Sequence, residues 1–196
     1  MTRIALFGGS FNPPHVAHQM GALYVLETQP VDQLWIAPTF VHPFEHKRGL
    51  ISFEHRVAMC KLMAEPLGSR VIVTKIEEEM AQRPGFRASR TLDLVAFLVE
   101  QGFEVRLVVG SDIMTETAKW YRWGDLVNKA PLIILAREGF DVPPGSVLTG
   151  VMLPAISSTQ IRRAYAAGDL TTVGHQVPRS VCSYMVKHDL YKGAFV

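Results

Sequence analysis

Two histidines three residues apart, His15 and His18, follow a glycine pair and a proline pair in Phe7-Gly8-Gly9-Ser10-Phe11-Asn12-Pro13-Pro14-His15-Val16-Ala17-His18. Imidazoles at i and i+3 share one face of a helical turn. If a helix starts there, both rings lie beside unpaired backbone N–H groups and the positive end of the helix dipole, a setting for phosphate. Gly8 and Gly9 let the backbone turn tightly and approach a ligand. Pro14 suits the first position of the helix, where a missing N–H costs nothing. The stretch is neither a Walker loop nor the Gly-x-Gly-x-x-Gly dinucleotide fingerprint. A metal reading lacks a Cys or Glu partner at ligand spacing. On these residues alone, a phosphate site and an ordinary strand-to-helix corner stand as equal alternatives.

A second donor-rich stretch is Ile156-Ser157-Ser158-Thr159-Gln160-Ile161-Arg162-Arg163. Ser157 with Gln160 three residues on reads as a capping box. Ser158 and Thr159 then fall in the first turn, and Arg162 lies on the same side as Ser158. The plain alternative is a well-capped helix with a surface arginine. Two such helix starts on one sheet edge can grip a triphosphate from both ends.

The elements that must hold these residues alternate. Arg3–Phe7 reads as a buried strand, followed by a helix over roughly 15–28 and a strand over Gln33–Pro38. A polar loop spans 39–51. Ser52 caps a helix over about 53–65, and Val71–Val73 is a third strand. The charged stretch 76–88, broken by Pro84-Gly85, reads as a mobile loop. Thr91–Glu100 reads as a helix, and Phe103–Val109 as a strand ending in Gly110-Ser111-Asp112. Strands over Pro131–Ala136 and Val147–Leu153 precede helices over 157–166 and about 178–187. The alternation implies an α/β fold, a doubly wound parallel sheet with helices on both faces. The expectation is one domain over 1–196 with a small helical C-terminal part over about 157–196. Ligands in such sheets lie beyond the carboxyl ends of the strands, where the winding reverses.

Composition narrows the partners. The 20 basic and 18 acidic residues are well mixed, so no basic stripe marks nucleic acid as a partner. No apolar run approaches the roughly 20 residues of a membrane span, and no secretory signal is read. Cys60 and Cys182 form no Cys-x-x-Cys pattern and read as small hydrophobes in a reducing compartment. The expectation is a cytoplasmic protein, with a homo-oligomer left open.

Gly-Gly-Ser-Phe-Asn-Pro-Pro-His-x-x-His near the start and Ile-Ser-Ser-Thr-x-Ile-Arg later resemble the nucleotidylyltransferases with a Rossmann-like fold. Within them, the chain resembles nicotinate-nucleotide adenylyltransferase. Thr91-Leu92-Asp93, Gly110-Ser111-Asp112, Trp120-Tyr121-Arg122-Trp123, Ala136-Arg137-Glu138-Gly139 and the tail from Val181 to Tyr191 extend the likeness over nearly the whole chain. The resemblance implies transfer of the adenylyl group of ATP to nicotinate mononucleotide, with release of pyrophosphate. It implies that His18 holds the α-phosphate with help from His15, and that Ser158 and Arg162 hold the β- and γ-phosphates, flanked by Ser157 and Thr159. Gly8, Gly9, Ser10 and Phe11 would line the nucleotide cleft with backbone. Gly110 and Asp112 would bind the ribose and adenine side, with Ile156 near the adenine. Trp120 and Tyr121 would bear the pyridine ring, and the Thr91 N–H would meet the nicotinate carboxylate. Asn12, Arg137, His46 and Lys47 complete the substrate contacts, the last two from a flexible loop. Mg2+ would ride on the ATP phosphates, with no metal ligand from the protein.

Three positions depart from the family pattern. Ala17 replaces the usual glycine between the histidines, the loop after the second strand keeps only the final His46-Lys47, and Arg90 replaces the usual tyrosine before Thr91. These leave the adenylyl-transfer reading in place and the acceptor open, to nicotinamide mononucleotide or phosphopantetheine; the rival from another class is a non-catalytic nucleotide sensor.

Overall fold

The computed structural model describes residues 1–41, 50–141 and 148–192. Six parallel strands form one sheet in the order β3-β2-β1-β4-β5-β6. They are β1 (Thr2–Gly9), β2 (Gln33–Pro38), β3 (Val71–Val73), β4 (Phe103–Gly110), β5 (Leu132–Arg137) and β6 (Leu148–Leu153). The chain winds outward from β1 to β3, then returns so that β4 pairs with the other edge of β1. The winding therefore reverses between β1 and β4, and the sheet is doubly wound as expected. Leu6 sits in register with Trp35 on one side and Leu107 on the other.

Ile4, Ala5, Leu6 and Phe7 of β1 form an unbroken buried apolar run because both faces of the sheet are covered. Side chains alternate along it. Ala5 and Phe7 enter the core shared with α1 (Val16–Thr28), α2 (Phe53–Ala64), α6 (Ser158–Ala166), α7 (Leu170–Gln176) and α8 (Arg179–Lys187). Ile4 and Leu6 enter the opposite core with α4 (Thr91–Glu100) and α5 (Trp123–Lys129). α1 lies close on the sheet at Gly21, where a Cβ would come within 2.7 Å of Leu135 Cδ1.

The structure corrects four local expectations. Part of the supposed loop 76–88 is a helix, α3 (Ile76–Ala81), with Glu77, Glu78 and Glu79 in its first turn. Carboxylates there complement the helix dipole, so the acidic run favours a helix start. Short helices α5 and α7 and a 3-10 segment over Ser111–Lys119 fill stretches where none was read. Pro14 precedes the N-cap His15 and is not the first helical residue. Ser157 is the N-cap of α6 but makes no side-chain cap hydrogen bond, so the capping box with Gln160 is not formed.

Candidate active site

β1 ends at Gly9, and the next three residues turn sharply. Phe11 takes φ +46, an uncommon left-handed conformation for a side chain of its size. Its ring is buried edge-on to His18, 5.0 Å between centroids, and to Phe7 at 5.8 Å. Three cross-links from distant elements hold this loop from behind. Arg56 of α2, only 1% exposed, donates to the carbonyls of Ser10 at 3.0 Å and Ile51 at 3.1 Å. Tyr191 Oη donates to Asn12 Oδ1 at 2.9 Å. Ser158 Oγ donates to the Pro13 carbonyl at 2.9 Å, and Arg162 Nη1 to the Asn12 carbonyl at 2.8 Å. The first turn of α6 is thus tied directly to the loop that leads into α1.

The histidine pair opens α1. The His15 N–H donates to His18 Nδ1 at 3.1 Å, so an N3 side chain satisfies an orphan donor of the helix start. Because Nδ1 accepts, the neutral His18 ring carries its proton on Nε2. The two rings stack, with centroids 3.7 Å apart. Burial pushes His15 down from 6.5 to about 3, aided by the charge of Arg137. Burial likewise holds His18 well below 6.5, with His15 and Arg137 adding to it. Both rings are neutral at pH 7, and His15 Nδ1 is buried with no protein partner.

A cavity of about 540 Å³ opens beyond the carboxyl ends of β1, β2, β4 and β5. Of the expected site residues, it brings together Gly8, Gly9 and Ser10 with His15 and His18. Gly110, Asp112 and Arg137 close the β4–β5 side, and Thr91, Trp120 and Tyr121 form the far end. Arg137 pairs with the Asp112 carboxylate and also donates to the Ile156 carbonyl at 2.7 Å. A Cβ at Gly110 would collide with the Asp112 carboxylate, so glycine there makes room for the pair. Trp120 is half-buried and braced edge-on by Trp123 at 5.5 Å. Ala17 lies in the wall and is only 4% exposed, so its methyl group is absorbed by packing.

Other expected residues stand outside the cavity wall. Asn12 was expected to touch substrate, but its side-chain oxygen is engaged by Tyr191 and it is buried. Phe11 is packed behind the wall. Ser157, Ser158, Thr159 and Arg162 flank the loop next to the cavity, while Ile156 meets it through Arg137. His46 and Lys47 fall outside the described residues.

Sequence reasoning passed over Arg56 and Glu77, and gave Tyr191 no role beyond ending the tail that carries the resemblance. A trace of Arg56 was present, since it interrupts the buried side of α2 between Phe53 and Cys60. Glu77, buried in the cavity wall, accepts from the Phe40 N–H at 2.7 Å. Burial raises its carboxyl from 4.5 to about 7, against hydrogen bonds from Ser89 and Phe40 that pull it down. The folded protein keeps a proton here that the unfolded chain releases near 4.5. The stabilising contribution is therefore full below that pH and is lost as pH rises through about 7. Glu77→Gln keeps an acceptor for Phe40 and cannot ionise. It gains stability over wild type between pH 5 and pH 8, by on the order of 3 kcal/mol. Thermal melts at both pH values check this, and an unchanged difference between the two proteins would refute it.

Comparison with known proteins adds four findings. The cytidylyltransferase-like family model matches residues 6–164. A probable nicotinate-nucleotide adenylyltransferase of Anaeromyxobacter dehalogenans is 45% identical over 192 residues, 97% of each chain. The nicotinate-nucleotide adenylyltransferase of Bacillus subtilis is 30% identical over 196 residues, 98% of this chain and 100% of that one. The fold matches Plasmodium falciparum nicotinic acid mononucleotide adenylyltransferase complexed with NaAD, with a TM-score of 0.78 at 19% identity, over 97% of this chain and 98% of that one.

Proposed function

The chain belongs to the cytidylyltransferase-like family and, within it, to the nicotinate-nucleotide adenylyltransferases, and from that premise we propose that it transfers the adenylyl group of ATP to nicotinate mononucleotide, giving the deamido dinucleotide and pyrophosphate. The observation that carries this reading is the contact of the two helix starts. Ser158 and Arg162 of α6 bond the carbonyls of Pro13 and Asn12 just before α1. Two sets of backbone N–H groups and two dipole ends therefore converge beside the cavity.

An oxygen of the mononucleotide phosphate attacks the α-phosphorus of ATP in line. The bond from that phosphorus to the α,β-bridging oxygen breaks, and pyrophosphate leaves with the bonding electrons. The attacking group is already an anion, so the protein need supply neither nucleophile nor general base. Its work is positioning and stabilisation of developing charge. His18 Nε2–H donates to the α-phosphate, His15 supports it, and Arg162 and Ser158 meet the β- and γ-phosphates. The neutral imidazoles gain proton affinity as polyphosphate charge arrives. Magnesium would come with ATP as part of the substrate and would add charge stabilisation there. The imidazole, hydroxyl and guanidinium donors of this chain suit phosphate oxygens. The same reading carries one working unit over 1–196, action in the cytoplasm and no nucleic-acid partner.

Trp120 and Tyr121 bear the pyridine ring. Trp120→Ala raises KM for the mononucleotide about 10-fold, as loss of ring stacking and buried area should, and moves KM for ATP much less. Initial rates with each substrate varied in turn check this. Equal weakening of both would remove Trp120 from the acceptor site. The reading as a whole is tested by pyrophosphate release from ATP against a panel of phosphorylated acceptors. Nicotinate mononucleotide is expected to be turned over fastest, and no release with any acceptor would sink the proposal.

A further inference from the structure

Arg90 is the N-cap residue of α4, yet its side chain does not cap the helix. It reaches across the cavity end instead, with its guanidinium carbon 4.2 Å from the centroid of the Tyr121 ring. Both residues line the cavity beside Thr91 and Trp120. A guanidinium lying over a ring keeps its N–H donors along its edge, in a fork that fits a carboxylate. The start of α4 adds the Thr91 and Leu92 N–H groups, which have no intrahelical acceptor.

The charges around the cavity make this cation stand out. Among the described residues, each carboxylate of the wall is already engaged. Asp112 pairs with Arg137, Glu116 accepts from Lys119, and Glu77 accepts from the Phe40 N–H. Arg90 forms no ion pair with a carboxylate among the described residues, and its guanidinium rests on an aromatic face. A cation over a ring keeps its charge and its edge donors, so it can still take an anionic ligand group.

We propose that Arg90 sets the charge of the acceptor. From the face of Tyr121, beside the start of α4, its guanidinium selects a pyridine ring bearing a carboxylate over one bearing a neutral carboxamide. This rests on the adenylyl-transfer reading and adds a specificity-determining residue to it. Asp93, also in the first turn of α4, is exposed and does not line the cavity.

The test compares kcat/KM for pyrophosphate release with nicotinate and nicotinamide mononucleotides, in wild type, Arg90→Gln and Arg90→Lys. The nicotinate-to-nicotinamide ratio is expected to fall about 10- to 100-fold in Arg90→Gln, as loss of a charge-assisted hydrogen bond should produce. The loss appears as a higher KM for the nicotinate substrate, with kcat held and the nicotinamide substrate unaffected. Arg90→Lys keeps most of the preference. A ratio that stays within about twofold of wild type in Arg90→Gln, or an equal loss with both acceptors, would overturn the proposal. Wild-type protein that releases pyrophosphate with neither acceptor would overturn the underlying reading, and this proposal with it. Melting curves of both variants identify any loss that comes from misfolding, since such a loss strikes both acceptors alike.

Discussion

His18→Ala lowers kcat by about 10²–10³-fold, the usual loss on removing one donor aimed at transition-state charge. The geometry sharpens this expectation, because the ring does two separable jobs. Nδ1 accepts the His15 N–H, and the proposed mechanism gives Nε2–H to phosphate. His18→Asn keeps an acceptor near the Nδ1 position and removes the distal donor. It should match the alanine variant in kcat while melting close to wild type. His18→Ala also gives up the helix-start hydrogen bond, worth about 0.5–1.5 kcal/mol, and melts a few degrees lower. An asparagine variant that retains ordinary turnover would reduce His18 to a capping residue. The pH profile gives a second check. Burial holds both imidazoles below their ordinary 6.5 in the free protein, so their protons are already gone above that value. kcat/KM, which reports the free enzyme, should then show no inflection from this pair between pH 6.5 and pH 8.

Arg56→Met is the substitution expected to cost most stability. The side chain is 1% exposed, and burial holds its pKa below the ordinary guanidinium value. It is held there by two carbonyls, those of Ser10 and Ile51. Methionine fills much of the volume and leaves both part-buried oxygens without that donor, at about 1–3 kcal/mol each. The melting temperature of a chain this size should fall by roughly 5–20 °C. Arg56→Lys recovers part of this, because an ammonium reaches one carbonyl and not both. The loop that loses its anchor is part of the cavity wall where the proposed mechanism seats ATP, so KM for ATP is expected to rise in the lysine variant even where it stays folded. Differential scanning calorimetry with ATP-dependent initial rates checks both halves. A methionine variant as stable as wild type would mean that the carbonyls find other donors.

The parts of the site that could be read along the chain were those built from neighbours in sequence. The strand before Gly8, the histidine pair and the helix start at Ser158 each announce themselves within a dozen residues, because strand and helix periods are local. The sheet could be read for the same reason, since strands buried on both faces are continuous apolar runs. What escaped was set by long-range contact. Ser157 with Gln160 reads as a capping box, but Ser158 is drawn instead to a carbonyl 145 residues away. Asn12 reads as a substrate contact until Tyr191 is found to occupy its side chain. The charged stretch that holds α3 reads as a mobile loop because its sequence does not show that Glu77 turns inward to the Phe40 N–H. Arg90 was visible as an unusual residue, and only the fold supplied the ring it lies on.

The Tyr191–Asn12 hydrogen bond spans 179 residues, and this has a consequence for biosynthesis. At typical translation rates a ribosome takes roughly 10–35 s to travel between the two codons. Throughout that interval the glycine-rich corner has been synthesised without the hydroxyl that later pins it. A nascent chain halted short of position 191 would thus carry both histidines and the start of α6 and still lack the hydroxyl that fastens Asn12.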